Sequence, residues 1–367
     1  MATNVGARFI APETDTAPYQ ILDPEGKLVG EMPDLSTERL LALYRYMQLG
    51  RAFSNKIIAL QRQGRASTFG SLLGQEATAV GLAAPLQARD WLATSYREIA
   101  SLMVRGFPLA TLVYMFRGFT PANYPGETHC LPFQIVIGTQ MPHAVGLAMA
   151  AKISGDPTVA VGVCGDGATS EGDFNEALNF AGVFQAPVVL VVQNNGWAIS
   201  VPRHKQSAAP TLASRGTGFG LPSVLVDGND ILAVYDVMQQ AIERARAGQG
   251  PTLVETLTYR IGAHTTADDP TRYRTPDEVE FWRTKDPLVR FQRFLMNRDL
   301  LTEEQDRQMV AALEEEINEA VRAAEAMPPM PPDSFFDYAF AALPPRLQEQ
   351  RSDLLRYADP KQYGRGT

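Results

Sequence analysis

Between Cys164 and Ser200 the chain reads CGDGATSEGDFNEALNFAGVFQAPVVLVVQNNGWAIS, and this stretch constrains the fold more than any other. An apolar run over 158–163 ends on Gly165-Asp166-Gly167, and a second over 187–192 ends on Asn194-Asn195. One amphipathic segment lies between them. Two apolar runs joined by a helical segment predict neighbouring parallel strands, because parallel partners need a long crossover. A carboxylate and a carboxamide then leave the same ends of two adjacent strands, where α/β sheets bind ligands.

The same alternation continues on both sides. A helix is expected over 141–153 and another over 230–247, ending at Gly248. Further strands are expected over 224–226 and 252–259. Ser170 with Asp173 resembles a capping box opening the helix after the GDG turn. The front third reads as helical: Ser36 caps a segment running to about Leu60, Gly64 stops it, and shorter helices follow Gly74-Gln75-Glu76 and Pro108. Beyond Tyr273 the chain is charged and helical, with Pro287 at a helix start and a long helix over 302–327. The expected fold is α/β, a doubly wound, mostly parallel sheet with helical N- and C-terminal extensions. Residues 1–33 read as an extended arm and 34–327 as the α/β domain. The proline cluster 328–332 detaches a tail, 328–367, that carries Phe335, Phe336 and Tyr338.

Four strand exits carry Asp166, Asn195, Asp227-Gly228 and His264. Taken singly, GDG and DG are common turn signals. Together they describe a site for a magnesium diphosphate. Magnesium takes oxygen ligands and shares them with phosphate. Asp166 offers charge, Asn195 a carbonyl oxygen, and the main chain of Trp197 a third ligand. Gly165, Gly167, Ala168 and the start of the following helix offer backbone amides to phosphate. A formal charge of −8 argues against general affinity for nucleic acid or anionic membranes. The two cysteines, Cys130 and Cys164, form no disulfide framework and fit a reducing compartment. No apolar run approaches the roughly 18 residues of a membrane span, and MATNVGARFIAPETD lacks a signal core. A cytoplasmic protein is expected.

From PDLSTERLLALYRYM to DPLVRF the chain resembles the alpha subunits of two-subunit, thiamin-diphosphate-dependent 2-oxoacid dehydrogenases. GDGATSEGDFNEALNFA, NNGWAIS and YRIGAHTTADDPTRYR are similar to that family's cofactor and active-site loops. The resemblance implies thiamin diphosphate and Mg2+ as cofactors. It assigns Tyr96 and Arg97 to the diphosphate, and the backbone at Ile135 and Ile137 to the aminopyrimidine. It places His264 beside the reacting carbon, as the candidate catalytic residue. From residue type alone, Arg97 reads as a surface charge, Ile135 and Ile137 as buried aliphatics, and His264 as a solvated loop residue. His129 is a lesser pocket candidate. The loop 265–274, with Asp268, Asp269, Arg272 and Arg274, is expected to carry internal ion pairs and to close over the site.

The resemblance further implies a beta subunit in an α2β2 heterotetramer, because the glutamate acting on the pyrimidine belongs to that partner; Glu76 is the candidate within this chain. The implied reaction is oxidative decarboxylation of a 2-oxoacid, with reductive acylation of the lipoyl domain of a dihydrolipoyl acyltransferase. LPFQIVIGTQ and DDPTRYR are similar to the pyruvate type, whereas MPHAVG also occurs in branched-chain relatives. The alternatives are a branched-chain 2-oxoacid or acetoin dehydrogenase, and a non-catalytic interaction subunit. Departures from the family pattern are Trp197 for Tyr or Phe, Ser54 for an aspartate, and Glu98-Ile99 for an acid–histidine pair.

Overall fold

Among the described residues, seven short strands and twelve helices follow one another in the order of the sequence. The computed structural model describes residues 17–121, 124–337 and 340–357. In the first half run α1 (Thr37–Arg62), α2 (Glu76–Gly81), β1 (Trp91–Ala93), α3 (Ile99–Val104), α4 (Leu109–Phe116), α5 (Gln140–Ser154), β2 (Ala160–Gly165) and α6 (Gly172–Phe184). Then come β3 (Val188–Asn194), β4 (Trp197–Ala198), β5 (Val201–Pro202), α7 (Ser214–Thr217), β6 (Ser223–Asp227), α8 (Ile231–Arg246) and β7 (Thr252–Leu257). The remaining helices are α9 (Pro276–Arg283), α10 (Pro287–Asn297), α11 (Glu303–Ala326) and α12 (Pro345–Tyr357).

The main sheet has the order β1-β2-β3-β7-β6 and is parallel throughout. Its period of two sorts the strand residues onto two cores. Val161, Val163, Val189 and Val191 point to the side packed by α1, α2 and α8. Ala160, Cys164, Val188, Leu190 and Val192 point to the side packed by α5 and α6. Both faces are therefore covered, as a continuous apolar strand requires. Gly162 lets α5 approach β2: a Cβ there would lie 2.8 Å from the Ala144 side chain. The register pairs Ala160 with Val188 and Gly165 with Gln193, so β2 and β3 end side by side.

Residues 17–30 lie against this domain through buried polar contacts. Tyr19 bridges Val226 in β6, and Asp230 accepts from the amides of Ile21 (2.7 Å) and Leu22 (2.6 Å). Asp230 also caps α8 through Leu232 and Ala233. Arg290 in α10 is fully buried and pairs with Asp227 at 2.9 Å. Deleting one partner of such a network strands the others in low dielectric. Arg290→Met is therefore expected to destabilise the chain by about 3 kcal/mol, read as a lower midpoint in urea unfolding.

The Ser36 cap is present, its side chain accepting from Arg39 N, and Pro287 does open α10. Two expectations fail. Ser170 and Asp173 form no capping box: a 3-10 turn, Gly167–Ser170, intervenes, and α6 starts two residues after Ser170 without a side-chain cap. The turn meets its own needs, Thr169 N and Oγ1 both donating to the Asp166 carbonyl. The strand expected to reach residue 259 stops at Leu257, where the chain leaves the sheet to line the site. β1 was not foreseen, since three residues carry no readable alternation. Phe335 is 79% exposed, and Tyr338 lies outside the described residues.

Candidate active site

A cavity of about 490 Å³ opens at the carboxyl ends of β2 and β3. Tyr96, Arg97, Ile135, Ile137, Gly165, Asp166, Gly167, Ala168, Asn195, Trp197 and His264 all line it. The sheet brings in Asp166 and Asn195, the segment before α3 brings in Tyr96 and Arg97, and the segment after β7 brings in His264. A larger cavity, about 680 Å³, lies on the other side of Trp197 and holds none of the other residues singled out for the site.

Asp166 is 2% exposed, and its Oδ2 accepts from Gln206 Nε2 at 3.0 Å. Burial pushes its carboxyl above the ordinary aspartate range, against the opposing pull of Gln206 and Arg260. Asn195 gives its Nδ2 to Gln75 Oε1 (3.0 Å) and accepts Trp197 N on Oδ1 (3.2 Å). Its oxygen, not its nitrogen, is thereby turned toward the Gly196 bend. The Trp197 carbonyl accepts from Arg260 Nη1 at 3.3 Å.

Arg97 is 5% exposed, not a surface charge. Its Nη1 donates to the Ser71 carbonyl at 2.7 Å, and its Nη2 to the His264 carbonyl and to His264 Nδ1, both at 2.8 Å. It makes no ion pair among the described residues, so a buried cation faces the cavity. His264 receives a second N–H, from Arg260 Nη1, at 3.4 Å. Burial first, then the Arg97 and Arg260 charges, hold its pKa down at about 4. The ring is neutral at physiological pH. Nδ1 is the acceptor, and the proton sits on Nε2.

Thiamin diphosphate with magnesium needs anionic and carbonyl oxygens for the metal and cations for the phosphates. The cavity offers both. Glu98, nearly fully buried on its wall, has an Oε2 with no partner, and burial lifts its pKa to about 7. Gln193 Oε1, also on the wall, is likewise unpartnered. Unpaired buried carboxylate and amide oxygens beside an unpaired guanidinium suit a bound metal diphosphate.

Residues 44–333 match the family described as Dehydrogenase E1 component. The chain belongs to this family. It is 44% identical over 344 residues to the 3-methyl-2-oxobutanoate dehydrogenase subunit alpha of Mycobacterium tuberculosis, covering 93% of this chain and 94% of that one. It is 41% identical to the pyruvate dehydrogenase E1 component subunit alpha of Acholeplasma laidlawii, covering 92% and 99%. The Staphylococcus aureus protein of the same description is also 41% identical, with 90% of each covered. The chain is thus an E1 alpha chain of a thiamin-diphosphate-dependent 2-oxoacid dehydrogenase, a family whose enzymes pair it with a beta subunit.

In this E1 chain other residues fall elsewhere. Ile135 and Ile137 are not buried aliphatics; they are 79% and 42% exposed at the cavity edge. His129 stays out of the cavity: it stacks on Trp91 and sets Nδ1 2.8 Å from the Ala88 carbonyl. Glu76 is buried in an ion pair with Arg51 at 2.7 Å and accepts from Gly74 N. The loop 265–274 contains no internal ion pair among the described residues. Asp268 accepts from His264 N (2.7 Å) and Tyr273 Oη, while Arg274 turns inward to the carbonyls of Arg260, Ile261 and Gly262. Sequence reading gave no role to Gln75, Gln193, Gln206 or Arg260, and marked Glu98 only as part of a departure from the family pattern. For Gln193 a signal existed: a carboxamide ending the apolar run VVLVV. Gln75 had none, being 118 residues from the strand it serves.

Proposed function

We propose that this chain, with its beta subunit in an α2β2 heterotetramer, catalyses oxidative decarboxylation of pyruvate in the cytoplasm and passes the acyl group to the lipoyl domain of a dihydrolipoyl acyltransferase. The observation that carries the reading is the convergence of Asp166, Asn195, Trp197, Arg97 and His264 on one cavity. Asp166, the Asn195 oxygen and the Trp197 carbonyl would hold Mg2+; a carbonyl oxygen has a second lone pair beyond the one Arg260 engages. Tyr96 and Arg97 would hold the diphosphate, with amides at Gly165, Gly167 and Ala168. The backbone at Ile135 and Ile137 would carry the aminopyrimidine. When bound, thiamin diphosphate supplies the electron sink for decarboxylation.

His264 orients the oxoacid through its Nε2 proton, since Arg97 occupies Nδ1. Its neutral state suits donation to a carbonyl or carboxylate oxygen without adding a buried charge. The pyruvate reading draws support from the LPFQIVIGTQ segment, whose Phe133, Ile135 and Ile137 line the cavity, and from the 41% identical relatives. The branched-chain reading draws support from the 44% identical relative. Turnover by the co-expressed alpha and beta chains, with an artificial electron acceptor, decides: a preference for 3-methyl-2-oxobutanoate over pyruvate replaces the substrate and keeps the site.

The loop 265–274 is tied down by Asp268, Tyr273 and Arg274, while Asp269, Thr271 and Arg272 at its tip bond only within the loop. It is expected to lose protease sensitivity when thiamin diphosphate and magnesium bind. Equal cleavage with and without them would refute closure.

A further inference from the structure

The turn that offers the Trp197 carbonyl is gripped from behind. Trp197 lines both cavities, and Glu278, Tyr259, Tyr273 and Trp282 line the larger one with it. On the far side, Glu278 of α9 accepts on a single oxygen, Oε1, from Trp197 Nε1 and from Tyr259 Oη, each at 2.9 Å. The Tyr259 ring stacks on Trp282 of the same helix at 5.2 Å and 3°. Tyr273 packs against the Trp197 ring at 5.2 Å. The turn's backbone is held by Gly196 N to Asn194 Oδ1, Trp197 N to Asn195 Oδ1 and Arg203 N to the Gly196 carbonyl, none of which engages the Trp197 carbonyl. Gly196 sits at φ 85°, and β4 and β5 pair over two residues each. So small a ladder does not fix a carbonyl direction by itself.

We infer that Glu278 is a positioning residue for the magnesium-binding turn, acting through the Trp197 indole to aim the Trp197 carbonyl. This rests on the magnesium reading above. The indole is bonded to Glu278 and the carbonyl belongs to the same residue, so an anchor on the indole restrains the direction of the carbonyl. Arg260 steadies the same turn from Nη2 to the Ile199 carbonyl at 2.7 Å, but its contact with the Trp197 carbonyl is the longer one, 3.3 Å. The indole anchor therefore decides the aim. The device depends on tryptophan, because phenylalanine at 197 has no donor for Glu278.

The test is magnesium affinity of the assembled alpha–beta enzyme at saturating thiamin diphosphate, by calorimetry. Glu278→Ala and Trp197→Phe should each weaken magnesium about ten-fold, the usual effect of removing an outer partner of a metal ligand. The double variant should be no weaker than either single one, while Glu278→Gln, which keeps the acceptor, and Tyr259→Phe should bind as the parent does. Excess magnesium should restore turnover in Glu278→Ala, which a general packing defect would not allow. Parental affinity in Trp197→Phe, or losses that multiply in the double variant, would overturn the inference; the first outcome remains readable through Trp197→Phe alone if Glu278→Ala fails to assemble. Undiminished magnesium affinity in Asp166→Ala would instead overturn the magnesium reading itself.

Discussion

Asp166→Ala is expected to abolish magnesium-dependent binding of thiamin diphosphate to the alpha–beta enzyme, with affinity falling at least about 100-fold, or about 2.7 kcal/mol. Asp166 is the one carboxylate in the proposed ligand set, and no other charge there replaces it. The stability of the ligand-free protein should move the other way. A carboxyl whose pKa rises on folding binds more protons folded than unfolded, so ligand-free stability falls as pH rises from the unfolded value of 3.8 toward the folded one. Removing the group relieves that strain. Thermal melting checks both: the variant should melt no lower than the parent without ligands, yet lose the rise that the cofactor gives. A variant that still binds cofactor in a magnesium-dependent way would remove Asp166 from the site.

His264→Ala is expected to leave cofactor affinity nearly unchanged and to lower acyl transfer to the lipoyl domain by about 10²–10⁴-fold. The ring meets Arg97 and Arg260 but forms no part of the proposed metal set. Because its folded pKa lies near 4, rate profiles of the parent should show no limb near 6.5 from this group. The stability consequence has the opposite sign to that of Asp166. Below pH 6.5 the unfolded chain takes up a proton that folded His264 refuses, so stability is lost as pH falls from 6.5 toward 4. Lost cofactor binding, or unaltered transfer, would contradict the role.

The unit from β2 through α6 to β3 was legible because burial on both faces leaves an unbroken apolar signature and the polar ends stand out from it. What escaped depends on distance or context. Gln75 joins Gln193 and Asn195 only because the positive φ of Gly74 turns the chain into α2 beneath the sheet. Arg97 looks like an ordinary surface charge, and only contacts with Ser71 and His264, distant in the chain, hold it inside. Ile135 and Ile137 read as core because aliphatic residues usually are, yet exposure is set by what lies outside this chain. Ser170 carried a capping pattern that a tighter turn made unnecessary.

The arm of residues 17–30 bears on how the molecule is made. Its amides meet Asp230 across 209 residues of chain, and Arg290, in α10, holds the opposite side of the same knot. During synthesis this segment stays without its partners until β6 and Asp230, 209 residues beyond Ile21, have followed it. Closing so long a loop adds little to the final free energy but much to the time taken. The arm thus works as a latch whose catch is made late: a nascent chain stalled before β6 would leave it without a partner.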